Sequence, residues 1–178
     1  MKNKKFHISI LEMSGNFEAA FVRRLLEFPY LPSPLSVVDA ALNMVEVKPG
    51  EIFADLGCGD GTVLVRAAEK FGTYCVGFEI NSSLALLARR NAKTFGVSFM
   101  VDVVSADLFT VDLSRFNVIY VYPFPTIIDR LSEKITLECS KGTRILVHDY
   151  PLKGLNPAKS IKIPEKGFHT HSMHLYII

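Results

Sequence analysis

The stretch FADLGCGDGT, Phe53 to Thr62, decides the fold. Ile52 to Leu56 is a short apolar run of strand length, and Gly57, Gly59 and Gly61 follow it at every second position. Thr62 to Lys70 then reads as a helix, so the segment is a strand, a glycine turn and a helix opening in succession. Glycine admits backbone angles closed to other residues and lets a chain press against a bound group. The spacing differs from G-x-G-x-x-G, which makes room for a pyrophosphate at a helix end. Asp55, just before the loop, would repel a phosphate but suits a cationic amine.

Outward from this turn the rhythm repeats. Strands are predicted at Tyr74 to Phe78, Phe99 to Val104, Asn117 to Tyr122 and Thr143 to Val147. Helices are predicted at Ser82 to Thr94 and Ile127 to Leu137, with an earlier one from Leu35 to Val45 closed off by Pro49-Gly50. Strands alternating with helices mean parallel βαβ units covered on both faces, an α/β domain of doubly wound type. Ala158 to Ile163 and Thr170 to Ile178 read as two strands with no helix between them, an antiparallel edge. Upstream, Phe17, Phe21, Leu25 and Phe28 form one helical stripe, ended by the prolines at 29, 32 and 34. The expected organisation is an N-terminal helix and proline-rich segment over 1–34 and one main domain over 35–178.

Composition bounds the rest. The 178 residues are 49% hydrophobic and 21% charged with a net charge of +2, enough for one packed core and too balanced to announce a nucleic-acid partner. Lys2-Asn3-Lys4-Lys5 is the one dense basic run and reads as a solvated tail. Cys58, Cys75 and Cys139 form no Cys-x-x-Cys pair, which argues against a zinc knuckle and fits a reducing, cytoplasmic setting. Phe6 to Met13 is apolar but interrupted and far too short to span a membrane. No metal site is expected: on a strand His169 and His171 share a face while His174 points to the other.

Two carboxylates follow the glycine turn at strand ends. Glu79 lies 22 residues beyond Gly57, where it can accept both hydroxyls of a ribose; the alternative is a surface residue capping the helix after Asn81. Asp107, in Ser105-Ala106-Asp107-Leu108, follows the third strand, where an adenine amino group could donate to it. Together, Asp55-Leu56-Gly57-Cys58-Gly59-Asp60-Gly61, Glu79 and Ser105 to Leu108 resemble the class I S-adenosylmethionine-dependent methyltransferases. The resemblance implies a Rossmann-like, mostly parallel seven-stranded sheet with an antiparallel C-terminal strand. It also implies S-adenosyl-L-methionine as cofactor, with its methionine part over Gly57, Cys58, Gly59 and Gly61, its ribose on Glu79 with Ile80 beside it, and its adenine near Asp107 and Leu108.

A narrower resemblance rests on Pro29-Tyr30-Leu31-Pro32-Ser33-Pro34, Val147-His148-Asp149-Tyr150 and Gly154-Leu155-Asn156-Pro157. These are similar to the small archaeal protein-lysine methyltransferases and their mitochondrial relatives, and imply a protein substrate offering a lysine. Tyr30 and Ser33 would then fold over the cofactor's amino-acid end, although the segment also reads as a plain connector.

The fourth strand ends in VIYVYPFP, Val118 to Pro125. Enzymes that methylate nucleic-acid amines place Asn or Asp there, because a base amino group needs acceptors; here the position is Tyr122. Lysine poses the opposite demand. Its amine has a reference pKa of about 10.4, so holding it neutral near pH 7 costs about 4.6 kcal/mol. Apolar walls and a nearby positive charge push that way, whereas a carboxylate would stabilise the ammonium. Tyr120, Tyr122 and Phe124, with Pro123 between, are therefore expected to line the acceptor side, while the narrower resemblance implies that the fifth strand end with His148 and Asp149 faces the acceptor. His148 is the candidate acceptor of the departing proton, directly or through water; the alternative is a hydrogen bond to loop backbone. Three other functions fit the same chain: an RNA or DNA amino-methyltransferase, a small-molecule methyltransferase of tetrapyrrole type, and a non-catalytic cofactor-binding partner protein.

Overall fold

Strand and helix alternate from Leu35 to His148, as the apolar periodicity predicts. In chain order the elements are α1 (Leu35–Leu42), β1 (Ile52–Leu56), α2 (Thr62–Phe71), β2 (Tyr74–Glu79), α3 (Ser82–Thr94), β3 (Val101–Ser105) and β4 (Val118–Val121). They continue as α4 (Ile128–Glu138), β5 (Arg144–His148), β6 (Lys159–Pro164) and β7 (Thr170–Ile177). The structure, a computed structural model, describes residues 30–165 and 170–178. Contacts divide the chain into two units, Met1–Leu31 and Pro32–Ile178, and the second carries the sheet. The predicted helix at 17–28, the basic run at 2–5, the apolar run at 6–13 and His169 lie outside the described residues.

The seven strands are ordered β3-β2-β1-β4-β5-β7-β6. β1 to β5 pair in parallel, and β7 is antiparallel to both β5 and β6. The expected C-terminal edge is thus present, with the last strand inserted between β5 and β6. The order reverses beside β1, and ligands of open α/β sheets bind at the carboxyl ends of strands at such a reversal. Gly57 to Gly61 occupy that point.

Strand alternation separates two buried layers. Phe53, Val118, Tyr120, Leu146 and Met173 point to one face and meet Val37, Val38, Ala41 and Leu42 of α1 and Leu64 of α2. Ala54, Leu56, Ile119, Val121, Ile145 and Val147 point to the other and meet Leu131 and Ile135 of α4. The residues that matter below, Asp55, Tyr120, Tyr122 and His148, continue the first layer toward the strand ends. Small differences from the predicted boundaries have local causes. β3 begins at Val101 rather than Phe99 because Met100 N–H bonds Val97 C=O and closes a turn there.

Gly61 fixes how α2 leaves the turn. Its φ is +79°, and a Cβ on it would stand 2.9 Å from the Ala88 Cβ of α3. Gly61→Ala combines left-handed strain with overpacking, so it is expected to destabilise the fold by about 2 kcal/mol. Urea or thermal unfolding checks this; unchanged stability would mean that α2 and α3 do not meet closely at this residue.

Candidate active site

The glycine turn is pinned before any ligand arrives. Gly57 N–H and Cys58 N–H both donate to the Phe78 carbonyl, at 2.8 and 3.1 Å, which lashes the loop to β2. Gly57 is exposed with φ +87°, and among the described residues a Cβ there would meet nothing within 4 Å. The described residues therefore leave open space in front of the backbone where the sequence expects a ligand. Asp60 accepts from Thr62 N–H, at the first residue of α2, at 3.0 Å.

Glu79 ends β2 and is 8% exposed. Its Oε2 accepts from Gly59 N–H at 2.9 Å and its Oε1 from Asn81 N–H at 2.8 Å. The helix cap itself is Asn81, whose side chain accepts from Ser83 and Leu84 N–H. Glu79 is thus a loop-locked carboxylate rather than a surface cap, and each oxygen retains a further lone pair. Asp55 is buried at 2% exposure, and burial first, then the Glu79 and Asp60 charges, push its carboxyl well above the usual carboxylate range. A site holding three acids at such a turn attracts a cation and repels phosphate. Burial and the same acids push the Cys58 thiol up, so it stays protonated. Asp107 accepts from Phe109 N–H at 3.1 Å and opens a short 3₁₀ turn, Leu108–Thr110. Ile80 and Leu108 are both half-buried beside these acids in sequence. Tyr30 belongs to the first unit and is exposed.

On the neighbouring strand ends a connected polar network replaces a simple aromatic lining. Tyr122 stacks on His148 with ring centroids 3.8 Å apart. Its hydroxyl donates to Asp149 Oδ2 at 2.8 Å. The end of β4 therefore does have a carboxylate beside it, supplied from the end of β5, which the chain-local reading of Tyr122 does not foresee. Burial and Asp149 together push the Tyr122 phenol up. Asp149 adopts φ +59°, a conformation uncommon outside glycine, held by two bonds to β7: Asp149 N–H to Ser172 C=O at 2.7 Å, and Ser172 N–H to Oδ1 at 2.8 Å. Burial opposes ionisation, but Ser172 N–H, Tyr122 and the two histidines outweigh it and hold the Asp149 carboxyl below its usual range.

Tyr120 is 2% exposed and lies behind this surface rather than lining it. Its hydroxyl, the Ser33 hydroxyl and His148 Nδ1 form a triangle with all three separations at 3.1 Å. Ser33, expected over the cofactor, is thereby tied to the histidine. Both ring nitrogens of His148 meet side chains, since Nε2 lies 2.9 Å from His171 Nδ1. His171 in turn places Nδ1 3.2 Å from Asp149 Oδ2 and Nε2 3.1 Å from Glu165 Oε2. His171 and Glu165 join the site without any signal in the local sequence. His174 is on the opposite face of β7, paired with Ser160 at 2.8 Å, as the strand alternation predicts. His148, Asp149 and His171 converge closely enough to hold a metal ion. In that case the ion would have to displace the proton that a 2.9 Å contact between two imidazole nitrogens requires.

A doubly wound sheet with a glycine turn after β1, a loop-locked acid after β2 and an acid after β3 defines the S-adenosylmethionine-dependent methyltransferases. Residues 55–159 match the family model described as the ANTKMT methyltransferase domain. The chain is 34% identical to a protein-lysine N-methyltransferase of Saccharolobus islandicus over 151 residues, covering 84% of this chain and 93% of that one. It therefore belongs to the ANTKMT methyltransferase family. It is also 30% identical to the adenine nucleotide translocase lysine N-methyltransferase of Mus musculus over 132 residues, covering 74% of this chain and 57% of that protein. Among solved structures, an RNA methyltransferase of Salinibacter ruber in complex with S-adenosyl-L-homocysteine superposes with a TM-score of 0.76 at 32% identity. That match covers 83% of this chain and 94% of the other. No helix among the described residues is long and apolar enough to cross a membrane.

Proposed function

We propose that this enzyme transfers methyl groups from S-adenosylmethionine to lysine side-chain amines of protein, with the acceptor entering past Tyr122. The observation that carries this reading is the end of β4, where an aromatic ring stacked on His148 stands in place of the Asn or Asp that a base amine requires. The Tyr122 hydroxyl is engaged by Asp149 and so presents mainly its ring. The kinship with the Saccharolobus lysine methyltransferase, over almost its full length, supports the same acceptor.

The cofactor supplies a methyl group on a positively charged sulfur, open to one in-line displacement. The chain's part is to place and neutralise the amine. Asp55 holds the cofactor's ammonium group, Glu79 its ribose hydroxyls and Asp107 its adenine amine, with Ile80 and Leu108 as apolar walls. The Tyr122 ring and Phe124 form the acceptor wall, with Pro123 fixing the turn between them. Asp149, whose oxygens are already bonded by Tyr122 and Ser172, adds less attraction for an ammonium than a bare carboxylate would. The cysteines are all free thiols, which fits work in a reducing cytoplasm.

A second reading, methylation of an RNA amine, is favoured by the likeness to the Salinibacter protein. Labelled S-adenosylmethionine offered with cell proteins and, separately, with RNA separates the two. Base-stable label recovered as methyl-lysine is the expected result, and label in RNA alone overturns it. Tyr122→Ala removes the stacked ring, worth about 0.5–1.5 kcal/mol, and is expected to slow lysine methylation up to about tenfold. Undiminished turnover in that variant would remove Tyr122 from the acceptor wall.

A further inference from the structure

Methyl transfer to lysine leaves a proton to dispose of. The amine arrives as an ammonium, and Tyr120 and His148 at the strand ends are shut off from bulk water. We propose that His148, His171 and Glu165 form a proton path leading from the Ser33 and Tyr120 hydroxyls at the inner end to solvent at the outer end. This proposal rests on the lysine-amine reading of the site.

The spacing is that of a continuous hydrogen-bonded line. Hydroxyl oxygen to His148 Nδ1 is 3.1 Å, His148 Nε2 to His171 Nδ1 is 2.9 Å, and His171 Nε2 to Glu165 Oε2 is 3.1 Å. Each link enters a ring at one nitrogen and leaves at the other, which only imidazole can do without a net change of protonation. Burial falls in the right direction. His148 is 0% exposed and the His171 side chain 7%, whereas the Glu165 side chain is 39% exposed, so the two rings are dry and the line reaches water at Glu165, with Ser33 half-buried at the other end.

The donor directions run one way along the line, and the bare His171 Nδ1 that they require also faces Asp149 Oδ2 at 3.2 Å, an unfavourable contact that is relieved when Nδ1 takes the proton. Glu165 as a carboxylate only accepts, so His171 Nε2 carries the proton and His171 Nδ1 accepts from His148 Nε2–H. His148 Nδ1 then accepts from a Ser33 or Tyr120 hydroxyl. When the ammonium gives up a proton to the half-buried Ser33 hydroxyl, directly or through water, the Ser33 proton passes to His148 Nδ1. The Nε2 proton of His148 passes to His171 Nδ1, and the Nε2 proton of His171 passes to Glu165. One cation and one carboxylate become a neutral amine and a neutral acid, and Glu165 releases its proton to water. Asp149 Oδ2, 3.2 Å from His171 Nδ1 and 3.6 Å from His148 Nε2, lies beside the middle of the line, where it stabilises the transient imidazolium. Tyr120 and Tyr122 face His148 as neutral phenols, since burial raises both. In this scheme His171 and Glu165 are positioning residues that act through His148.

The test compares wild type, His171→Gln and Glu165→Gln for methyl-lysine formation between about pH 6 and pH 10, with saturating S-adenosylmethionine. Both variants are expected to lose about tenfold or more in kcat near neutrality with KM unchanged. The deficit should shrink as pH rises, because hydroxide then takes the proton, and added imidazole should restore His171→Gln. Glu165→Gln sits at the wet end, so it tests the path even if His171→Gln fails to fold. If the Glu165→Gln pH–rate profile coincides with wild type, or if its loss is the same at every pH, the path is overturned. A wild-type protein that forms no methyl-lysine at all would instead overturn the function proposed above.

Discussion

Replacing Asp55 by Asn is expected to raise the melting temperature of the ligand-free protein at neutral pH while weakening S-adenosylmethionine binding up to about a hundredfold. The opposite signs come from one cause. Asp55 is buried with Glu79 and Asp60 nearby, and its folded-state pKa is raised well above the unfolded value. A group so shifted contributes its full share of stability below the unfolded pKa, about 3.9, and loses it as pH rises through the folded pKa. At neutral pH the ligand-free fold therefore bears a cost of about 1.4 kcal/mol for every tenfold shift of the acid constant, and an amide abolishes it. Each kcal/mol released is worth about 2–4 °C in a protein of this size. A cationic cofactor reverses the balance, because it needs the ionised form; a charge-assisted bond is worth about 1.5–3 kcal/mol. Wild-type affinity should accordingly rise with pH up to the Asp55 pKa, and the variant's should be flat. Calorimetric titration from about pH 5 to pH 8, with parallel thermal scans, checks both signs. Below about pH 4 the two proteins should melt alike. A variant that binds normally, or that melts lower at neutral pH, removes Asp55 as the ammonium partner.

The sequence made the sheet and the cofactor side readable for a local reason. Strand, turn and helix signals around Phe53 to Thr62 sit within one short consecutive run, and apolar alternation repeats them at β2, β4 and β5. The acids Asp55, Glu79 and Asp107 follow strand ends directly, so a parallel sheet brings them to one edge once its topology is known. The acceptor side depends instead on register between distant strands. His148 pairs with Met173 across the β5–β7 ladder, which carries His171, two residues further and on the same face, past the end of β5. Nothing in the immediate sequence around His171 announces that it will meet His148, and Glu165 arrives only because β6 and β7 run antiparallel with Ile163 opposite His171. The same limit applies to Tyr122. Its lack of a neighbouring acid is true along the chain and untrue across it, because β4 and β5 run in register from Val118–Arg144 to Val121–Val147. The positive φ of Asp149, which swings its carboxylate between Tyr122 and Ser172, is a conformation that Asp adopts more readily than most residues but that the residue type alone does not announce. Composition and periodicity thus reveal what is built within an element, while ladder register sets what is built between elements.

Register also makes Glu79→Gln more severe than its shape suggests, and a loss of cofactor affinity of about two to three powers of ten is expected. The two carboxylate oxygens are each bound by a backbone donor, Gly59 N–H at Oε2 and Asn81 N–H at Oε1. An amide presents one oxygen and one NH2, so whichever way it turns, a donor faces a donor. Leaving one buried N–H unsatisfied costs about 1–3 kcal/mol, and the loop bearing Gly59 must move to relieve it. The charge-assisted bonds proposed between the carboxylate and the ribose hydroxyls would be lost at the same time, at about 1.5–3 kcal/mol each before relaxation. Loop displacement and ribose loss can be separated with a deoxyribose analogue of S-adenosylhomocysteine. If Glu79 receives the ribose, the analogue binds wild type more weakly than the parent compound, yet the two bind Glu79→Gln almost equally, a coupling that a double cycle reads directly. Equal discrimination by both proteins would assign the effect of Glu79 wholly to the loop, and the ribose would need another acceptor.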